Sequence, residues 1–225
     1  MAENLQALYQ TRFIETGREK RQRVWKTLCS SFFDKLIGEH QDVLDMACGY
    51  GEFINNVAAR KRYGTDVNPD SARHLHPDIQ FFQVPSGAMT GVSDQSVDVV
   101  FTSNFLEHLP SKEACDATFA EVLRVLRPGG RFIALGPNIR YAHKEYWDFY
   151  DHHLPLSHLS LAEGLRGSGF NIIRNVPRFL PYSMKSNTPS TNFLIKIYVK
   201  FRLLWPIFGK QFLVVAEKPE LTRSW

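Results

Sequence analysis

Apolar residues fall into two rhythms along the chain. Near the amino terminus Trp25, Leu28, Phe32 and Leu36 recur three or four residues apart among Arg18, Lys20, Arg21, Arg23 and Lys26, as on an amphipathic helix. Residues 1–40 therefore read as an amino-terminal helical cap. From Asp42 the rhythm changes to short, continuous apolar runs separated by helical patterns. Strands are predicted at Val43–Ala47, up to Asp66, and at Ile79–Val84, Val97–Thr102, Arg131–Leu135, Phe170–Asn175 and Gln211–Glu217. Helices are predicted from Gly51, along the face Cys115, Phe119, Val122, Leu123 and Leu126, from a Ser160–Glu163 capping box to near Gly169, and from Thr191 to Leu204. Pro128, Gly129 and Gly130 stop the second of these. Alternation of this kind defines an α/β architecture on a parallel sheet, assigned to residues 41–225 as one domain. The stretch from Pro137 to His158 is long for a connection, which marks it as functional rather than idle.

Composition narrows the classes further. A chain of 225 residues and 25.9 kDa has room for one domain with modest extras, and its 44% hydrophobic share supports a buried core. A formal charge of +4 is too small by itself to argue for a nucleic-acid partner. Cys29, Cys48 and Cys115 are odd in number and scattered, which excludes a disulfide framework or a paired zinc site and fits a reducing cytoplasm. Met1–Thr11 lacks the apolar stretch of a signal peptide, and no run of about 18 apolar residues occurs to span a membrane.

The strongest local signal is Val43-Leu44-Asp45-Met46-Ala47-Cys48-Gly49-Tyr50-Gly51-Glu52-Phe53, an apolar strand entering a turn with two glycines. Gly49 and Gly51 let backbone approach a ligand closely. A dinucleotide site wants a third small residue where Ile54 stands, and a pyrophosphate would meet Asp45 and Glu52. Those carboxylates instead attract an ammonium group or a sulfonium, which favours S-adenosylmethionine over NAD. Asp66, ending the second strand in Tyr63-Gly64-Thr65-Asp66-Val67-Asn68, is placed to accept ribose hydroxyls.

Further motifs follow in order: Ser96-Val97-Asp98-Val99-Val100-Phe101, Asn104-Phe105-Leu106-Glu107-His108-Leu109 and Arg124-Val125-Leu126-Arg127-Pro128-Gly129-Gly130. With the glycine turn and Asp66, they make residues 42–135 resemble the class I S-adenosylmethionine-dependent methyltransferases. The resemblance implies a Rossmann-like, mostly parallel seven-stranded sheet with the last strand antiparallel and helices on both faces. It implies that Asp45, Ala47, Gly49 and Gly51 hold the methionine half of the cofactor, Asp66 the ribose and Val67 the adenine. Asn104 and Phe105 would line the cofactor near its sulfur. Where the family has an acidic residue for the adenine amino group, this sequence has Ser86 followed by Gly87, so a hydroxyl or a backbone carbonyl takes that contact.

Transfer of a methyl group to a hydroxyl needs a base, which directs attention to histidines. His108 follows the fourth strand, and Tyr146-Trp147-Asp148-Phe149-Tyr150-Asp151-His152-His153 with His158 lies in the long segment after the fifth. His108 is the first base candidate, its alternative being a structural bond that fixes the loop. Asp151 and His152 are read as a second, a carboxylate behind an imidazole, and residues 141–158 as a lid. No metal is assigned, since neighbouring His152 and His153 point in different directions. The expected acceptor is a small molecule with a hydroxyl on a saccharide or lipid-linked glycan. The competing readings are carbon methylation of a quinone or lipid, and a non-catalytic module that binds S-adenosylmethionine. No Asn-Pro-Pro-Tyr tetrapeptide points to a nucleic-acid base. The segment Phe193–Lys210 is basic and apolar, read either as an ordinary helix with Leu194, Ile195, Tyr198 and Phe201 facing the core, or as a peripheral membrane contact.

Overall fold

The computed structural model describes residues 15–182 and 191–220. Seven strands make one sheet: β1 (Asp42–Met46), β2 (Lys61–Asp66), β3 (Gln80–Gln83), β4 (Val97–Ser103), β5 (Leu126–Pro137), β6 (Asn171–Val176) and β7 (Gln211–Glu217). Their spatial order is β3-β2-β1-β4-β5-β7-β6, with β7 antiparallel to both neighbours and the other pairings parallel. The seven-stranded, mostly parallel sheet expected from the sequence is the one formed. Its central strands are buried on both faces, as their largely apolar composition requires.

Helices cover both faces. The helices α3 (Lys112–Val125) and α5 (His158–Gly167) supply Phe119, Val122, Leu161 and Leu165 to the core on one side, against Phe132 and Val214. On the other side α1 (Glu15–Leu28), the turn after it, α2 (Asp34–Ile37) and α6 (Asn192–Lys200) bury Leu28, Phe33, Ile37 and Val199 among Phe53, Phe101 and Phe179. Of the cap expected over residues 1–40, residues 1–14 lie outside the described residues, and the helix from Glu15 packs into this layer. Its buried face differs from the expected stripe: Cys29, Phe33 and Ile37 are buried, whereas Trp25, Phe32 and Leu36 are half-buried. A π-helical turn at Cys29–Phe33 accounts for the change, because a wider turn advances the inward face by one residue.

Four other expectations are corrected. The helix predicted from Gly51 is a succession of turns: the N–H groups of Asn55 and Val57 donate to Gly51 and Phe53, but no regular helix develops. Asn55 instead bonds the backbone of His74 and His76, and Asn56 the side chain of Gln22, so these residues engage other partners. Leu126 belongs to β5, not to the preceding helix. It pairs with Val97, and a bulge follows before Arg131 pairs with Val99. Gly130 fits that bulge because a Cβ there would lie 2.8 Å from the Arg127 carbonyl oxygen. The capping box is Ser157 with Ser160, one turn ahead of the expected Ser160 with Glu163. The segment after β5 contains helix α4 (Ile139–Tyr146), capped by Asn138, so it is not a long loop throughout.

The amino ends of the central strands are locked by charge. Asp42, with its side chain only 3% exposed, accepts from Arg60 Nε and Nη2 at 2.8 Å and from Arg127 Nη2 at 3.1 Å, while its own N–H donates to Asp98. The Arg60 bond, outweighing burial, holds the Asp42 carboxyl below the usual carboxylate range. A lowered folded pKa contributes stability present above the ordinary carboxylate value and lost as pH falls through the folded one. Asp42→Ala is expected to lower unfolding free energy by about 2 kcal/mol at pH 7, with the difference shrinking in urea titrations carried into the acid range.

Candidate active site

The sheet's order reverses between β1 and β4, so the crevice beyond their carboxyl ends is where an open α/β sheet takes a ligand. A cavity of about 500 Å³ lies there. At one end it is lined by Asp45, Ala47, Cys48 and Gly49 from the first strand and its turn, Glu52 and Phe53 beyond it, and Val67. Phe101 and Ser103 of β4, with Asn104 and Phe105 after it, lie across the crevice, and Glu107, His108, Phe149, Asp151, His152, His153, Pro181 and Tyr182 form the other end. Arg21 and Trp25 of α1 and Gln211 of β7 complete the wall. Arg21 donates to Glu52 at 3.0 Å.

Backbone strain concentrates at this crevice. Ala47 (φ 58°) and Asn104 (φ 49°) are left-handed although neither is glycine, each at the end of a strand facing the cavity. Such a conformation costs a non-glycine residue roughly 1–2 kcal/mol, and here it turns the two segments so that their backbones edge the cleft. Gly49 is left-handed too, and a Cβ built on it meets nothing within 4 Å. This space over the turn is what a closely approaching ligand needs. Gly51 serves differently: its added Cβ would overlap the Leu75 side chain, and it does not line the cavity.

Asp66 sits beneath the turn, 3% exposed, its Oδ2 accepting from the Gly49 N–H and its Oδ1 from the Asn68 N–H, both at 2.8 Å. The carboxylate therefore pins both loops together; it does not itself line the cavity. Ser86 and Gly87 also lie off the lining. Ser86 Oγ is 2.8 Å from Thr118 Oγ1, and a Cβ at Gly87 would touch Ala117, so this pair packs under α3. Asp45, Ala47, Gly49, Val67, Asn104 and Phe105 are the expected cofactor residues that do face the space.

Burial, then the nearby charges of Glu52 and Asp66, raises Asp45 well above the carboxylate range despite the Ile54 N–H bond. Burial also raises Asp66, against the pull of its N–H donors. An acidic trio of this kind is relieved by a cation. The space over Gly49 and these carboxylates together fit an amino-acid ammonium and a sulfonium, as S-adenosylmethionine carries.

At the other end, His153 and Leu154 donate their N–H groups to the Glu107 carbonyl at 2.8 and 3.1 Å, which ties the segment after α4 to the end of β4. This link brings Asp151 to His108. His108 Nδ1 lies 3.1 Å from both the carboxylate Oδ2 and the carbonyl oxygen of Asp151. Two acceptors facing one nitrogen require that Nδ1 carry the proton, leaving Nε2 as the basic atom. Burial lowers the His108 pKa, but the Asp151 bond and the charges of Glu107 and Asp151 outweigh it, for a net rise. The sequence expectation paired Asp151 with His152; the observed partner is His108. His152 is instead buried against Phe149 (ring centroids 4.8 Å, stacked), Tyr146 and His108. Glu107, His108 and His152 bring one metal-ligating atom each to within 4.8 Å of one another, a grouping the sequence reading did not contain. Arg21, Trp25, Pro181, Tyr182 and Gln211 were also not expected in the site; the basic stripe on α1 was the sole sequence signal for any of them.

Comparison with known proteins places this arrangement. Residues 44–134 match the family described as Methyltransferase domain. A Mycolicibacterium smegmatis protein assigned as an S-adenosylmethionine-dependent methyltransferase is 35% identical over 103 residues, 44% of this chain and 38% of that one. The ubiquinone/menaquinone biosynthesis C-methyltransferase UbiE of Rubrivivax gelatinosus is 32% identical over 121 residues, 50% of this chain and 45% of that one. The matches thus span less than half the length of either relative. Among solved structures, an Archaeoglobus fulgidus SAM-dependent methyltransferase superposes with a TM-score of 0.64 at 18% identity, covering 88% of this chain and 94% of that one. A chain in a complex containing the Haloferax volcanii Trm112 methyltransferase activator gives 0.66 at 19% identity, covering 92% and 96%.

The architecture is the Rossmann-like fold of class I methyltransferases. Over residues 44–134 the chain is thus similar to methyltransferase domains, and the Mycolicibacterium smegmatis relative it matches is assigned as S-adenosylmethionine-dependent.

Proposed function

We propose that this methyltransferase domain methylates a hydroxyl on a small ring-bearing acceptor, a saccharide or a lipid-linked glycan, with His108 as general base and Asp151 as its positioning partner. The observation that carries this reading is the Asp151–His108 pair at the far end of a cavity whose near end suits the cofactor. S-adenosylmethionine, when bound by Asp45, Ala47, Gly49, Val67, Asn104 and Phe105, supplies an electrophilic methyl group. His108 Nε2 takes the acceptor's hydroxyl proton as its oxygen becomes the nucleophile. Asp151 keeps the ring in the tautomer that allows this and stabilises the resulting imidazolium. Phe149 and Tyr182, their ring centroids 6.0 Å apart in an edge-to-face contact, give this end of the cavity an aromatic wall against which a ring would pack while the polar groups orient its hydroxyls. Holding acceptor and donor together contributes about 7–11 kcal/mol by effective-molarity arguments, so positioning outweighs the base.

A second reading is carbon methylation of a phenolic or quinol ring. It is favoured by the same aromatic wall and by the similarity to a UbiE C-methyltransferase. The base would have the same task, since the ionised ring oxygen activates its neighbouring carbons. Buried free thiols at Cys29, Cys48 and Cys115 support a reducing, cytoplasmic setting.

Incubation with methyl-labelled S-adenosylmethionine and a cell extract, followed by mass identification of the product, tests the reading. A labelled methyl ether supports it, a labelled ring carbon selects the second reading, and cofactor binding without any product indicates a non-catalytic module. A divalent ion on Glu107, His108 and His152 would compete with the proton for the imidazole. Prior treatment with EDTA is therefore expected to leave the rate unchanged and added zinc to inhibit. Activity lost to EDTA and restored by a metal would refute the metal-free base.

A further inference from the structure

Six large apolar side chains in one short stretch remain in solvent: Phe193 and Leu194 on α6, Phe201 and Leu203 after it, and Ile207 and Phe208 on helix α7 (Trp205–Phe208). They range from 46% to 85% exposed, and the other exposed large hydrophobics among the described residues are scattered over 67–173. The core stripe expected at 194, 195, 198 and 201 is corrected accordingly. Ile195, Tyr198 and Val199 face inward, where Phe179 and Trp205 receive them, and Leu194 and Phe201 face out. A cluster of exposed apolar groups marks a contact surface.

Charge says what covers it. Lys196, Lys200 and Arg202 are exposed among these residues. From residue 164 to residue 216 the sequence has eight Lys and Arg and no Asp or Glu, against 19 and 23 in the rest of the chain. The chain's positive excess therefore lies entirely in this part. We propose that the face carried by residues 193–208 docks onto an anionic lipid leaflet, its apolar side chains entering the headgroup boundary and its cations meeting the lipid phosphates. A second copy of the chain is a poorer occupant, because two-fold pairing would set Lys196, Lys200 and Arg202 against themselves with no carboxylate among residues 193–208. No helix among the described residues is long and apolar enough to cross a membrane, so the contact is peripheral.

The face is joined to the cavity wall. Tyr198 Oη donates to the Phe179 carbonyl at 2.6 Å, and the N–H groups of Lys210 and Gln211 donate to the Leu180 carbonyl at 2.8 and 2.9 Å. Pro181 and Tyr182, next in sequence, line the cavity. A docked protein would thus hold this wall close to the leaflet, suiting an acceptor carried on lipid. That link to the acceptor rests on the proposed activity; the docking itself does not.

The test is sedimentation of the full chain with phosphatidylcholine vesicles, alone or with about one third phosphatidylglycerol. Binding is expected only with the anionic vesicles, and to weaken as NaCl rises. The double substitution Leu203→Glu, Ile207→Glu is expected to weaken it by at least about tenfold. Lys196→Gln and Lys200→Gln are expected to weaken it by about fivefold each. All four positions are exposed, and an unchanged melting temperature verifies the fold. No binding, equal binding to both vesicles, or a dimer that the Leu203→Glu, Ile207→Glu variant dissolves would overturn the proposal. Failure to bind adenosylhomocysteine would count against the proposed activity and leave the docking result standing.

Discussion

Replacing His108 with alanine is expected to slow single-turnover methyl transfer by about 10²–10⁴-fold, leaving adenosylhomocysteine affinity nearly unchanged because the acidic end of the cavity is separate. A fall of less than about tenfold would remove His108 from the role of base. The pH profile gives a finer test. A base works when deprotonated, so the rate rises with pH through a His108 pKa that Asp151 and Glu107 hold above its ordinary value against burial. In Asp151→Asn that support is weakened. The rising limb then moves to lower pH while the plateau drops, since the ring loses the charge that stabilises it after proton transfer. If Asp151 merely braced the loop, the plateau would fall and the limb would stay in place.

The second large effect concerns cofactor uptake. Burial first, then Glu52 and Asp66, favours the neutral form of Asp45. A cation brought beside it favours the ionised form, so uptake of S-adenosylmethionine releases a proton. Affinity is expected to rise by up to about tenfold per pH unit until Asp45 ionises without help. The stability sign agrees: a raised folded pKa contributes stability that is present at low pH and lost as pH rises through it. The cofactor's stabilising shift in melting temperature should therefore grow with pH. Asp45→Asn is expected to flatten both dependences. Calorimetry in buffers of different ionisation enthalpy counts the proton directly, and a count of zero throughout, in the parent protein as in the variant, would refute the assignment.

The strands were legible because a parallel sheet buried on both faces writes largely apolar runs, as in Val43–Leu44 and Val99–Phe101. The turn after β1 was legible because Gly49 and its acidic neighbours combine backbone freedom with charge in one short stretch. Other features depend on contacts distant in sequence. Asp151 meets His108 through a backbone tie from His153 and Leu154 to Glu107, which no local pattern encodes. Adjacent placement made His152 the natural partner on paper, whereas the structure sets the Asp151 carboxylate against His108. Asn55 and Asn56 look harmless in a helix but engage partners on other elements. Ser157 and Ser160 make the box because the chain is already helical at Ser160, a matter of where the turn begins rather than which residues can cap. On α6, apolar positions were visible, but which of them face Phe179 and Trp205 is decided by docking.

The wide turn at Cys29–Phe33 decides where this chain can change in length. It holds one residue more than an ordinary turn, so removing one residue there would restore ordinary winding while the helix on either side keeps its facing. Arg21 would stay beside Glu52 and Trp25 at the cavity wall. The same deletion in regular helix between Trp25 and Cys29, with no wide turn to absorb it, would swing everything before it by about 100°.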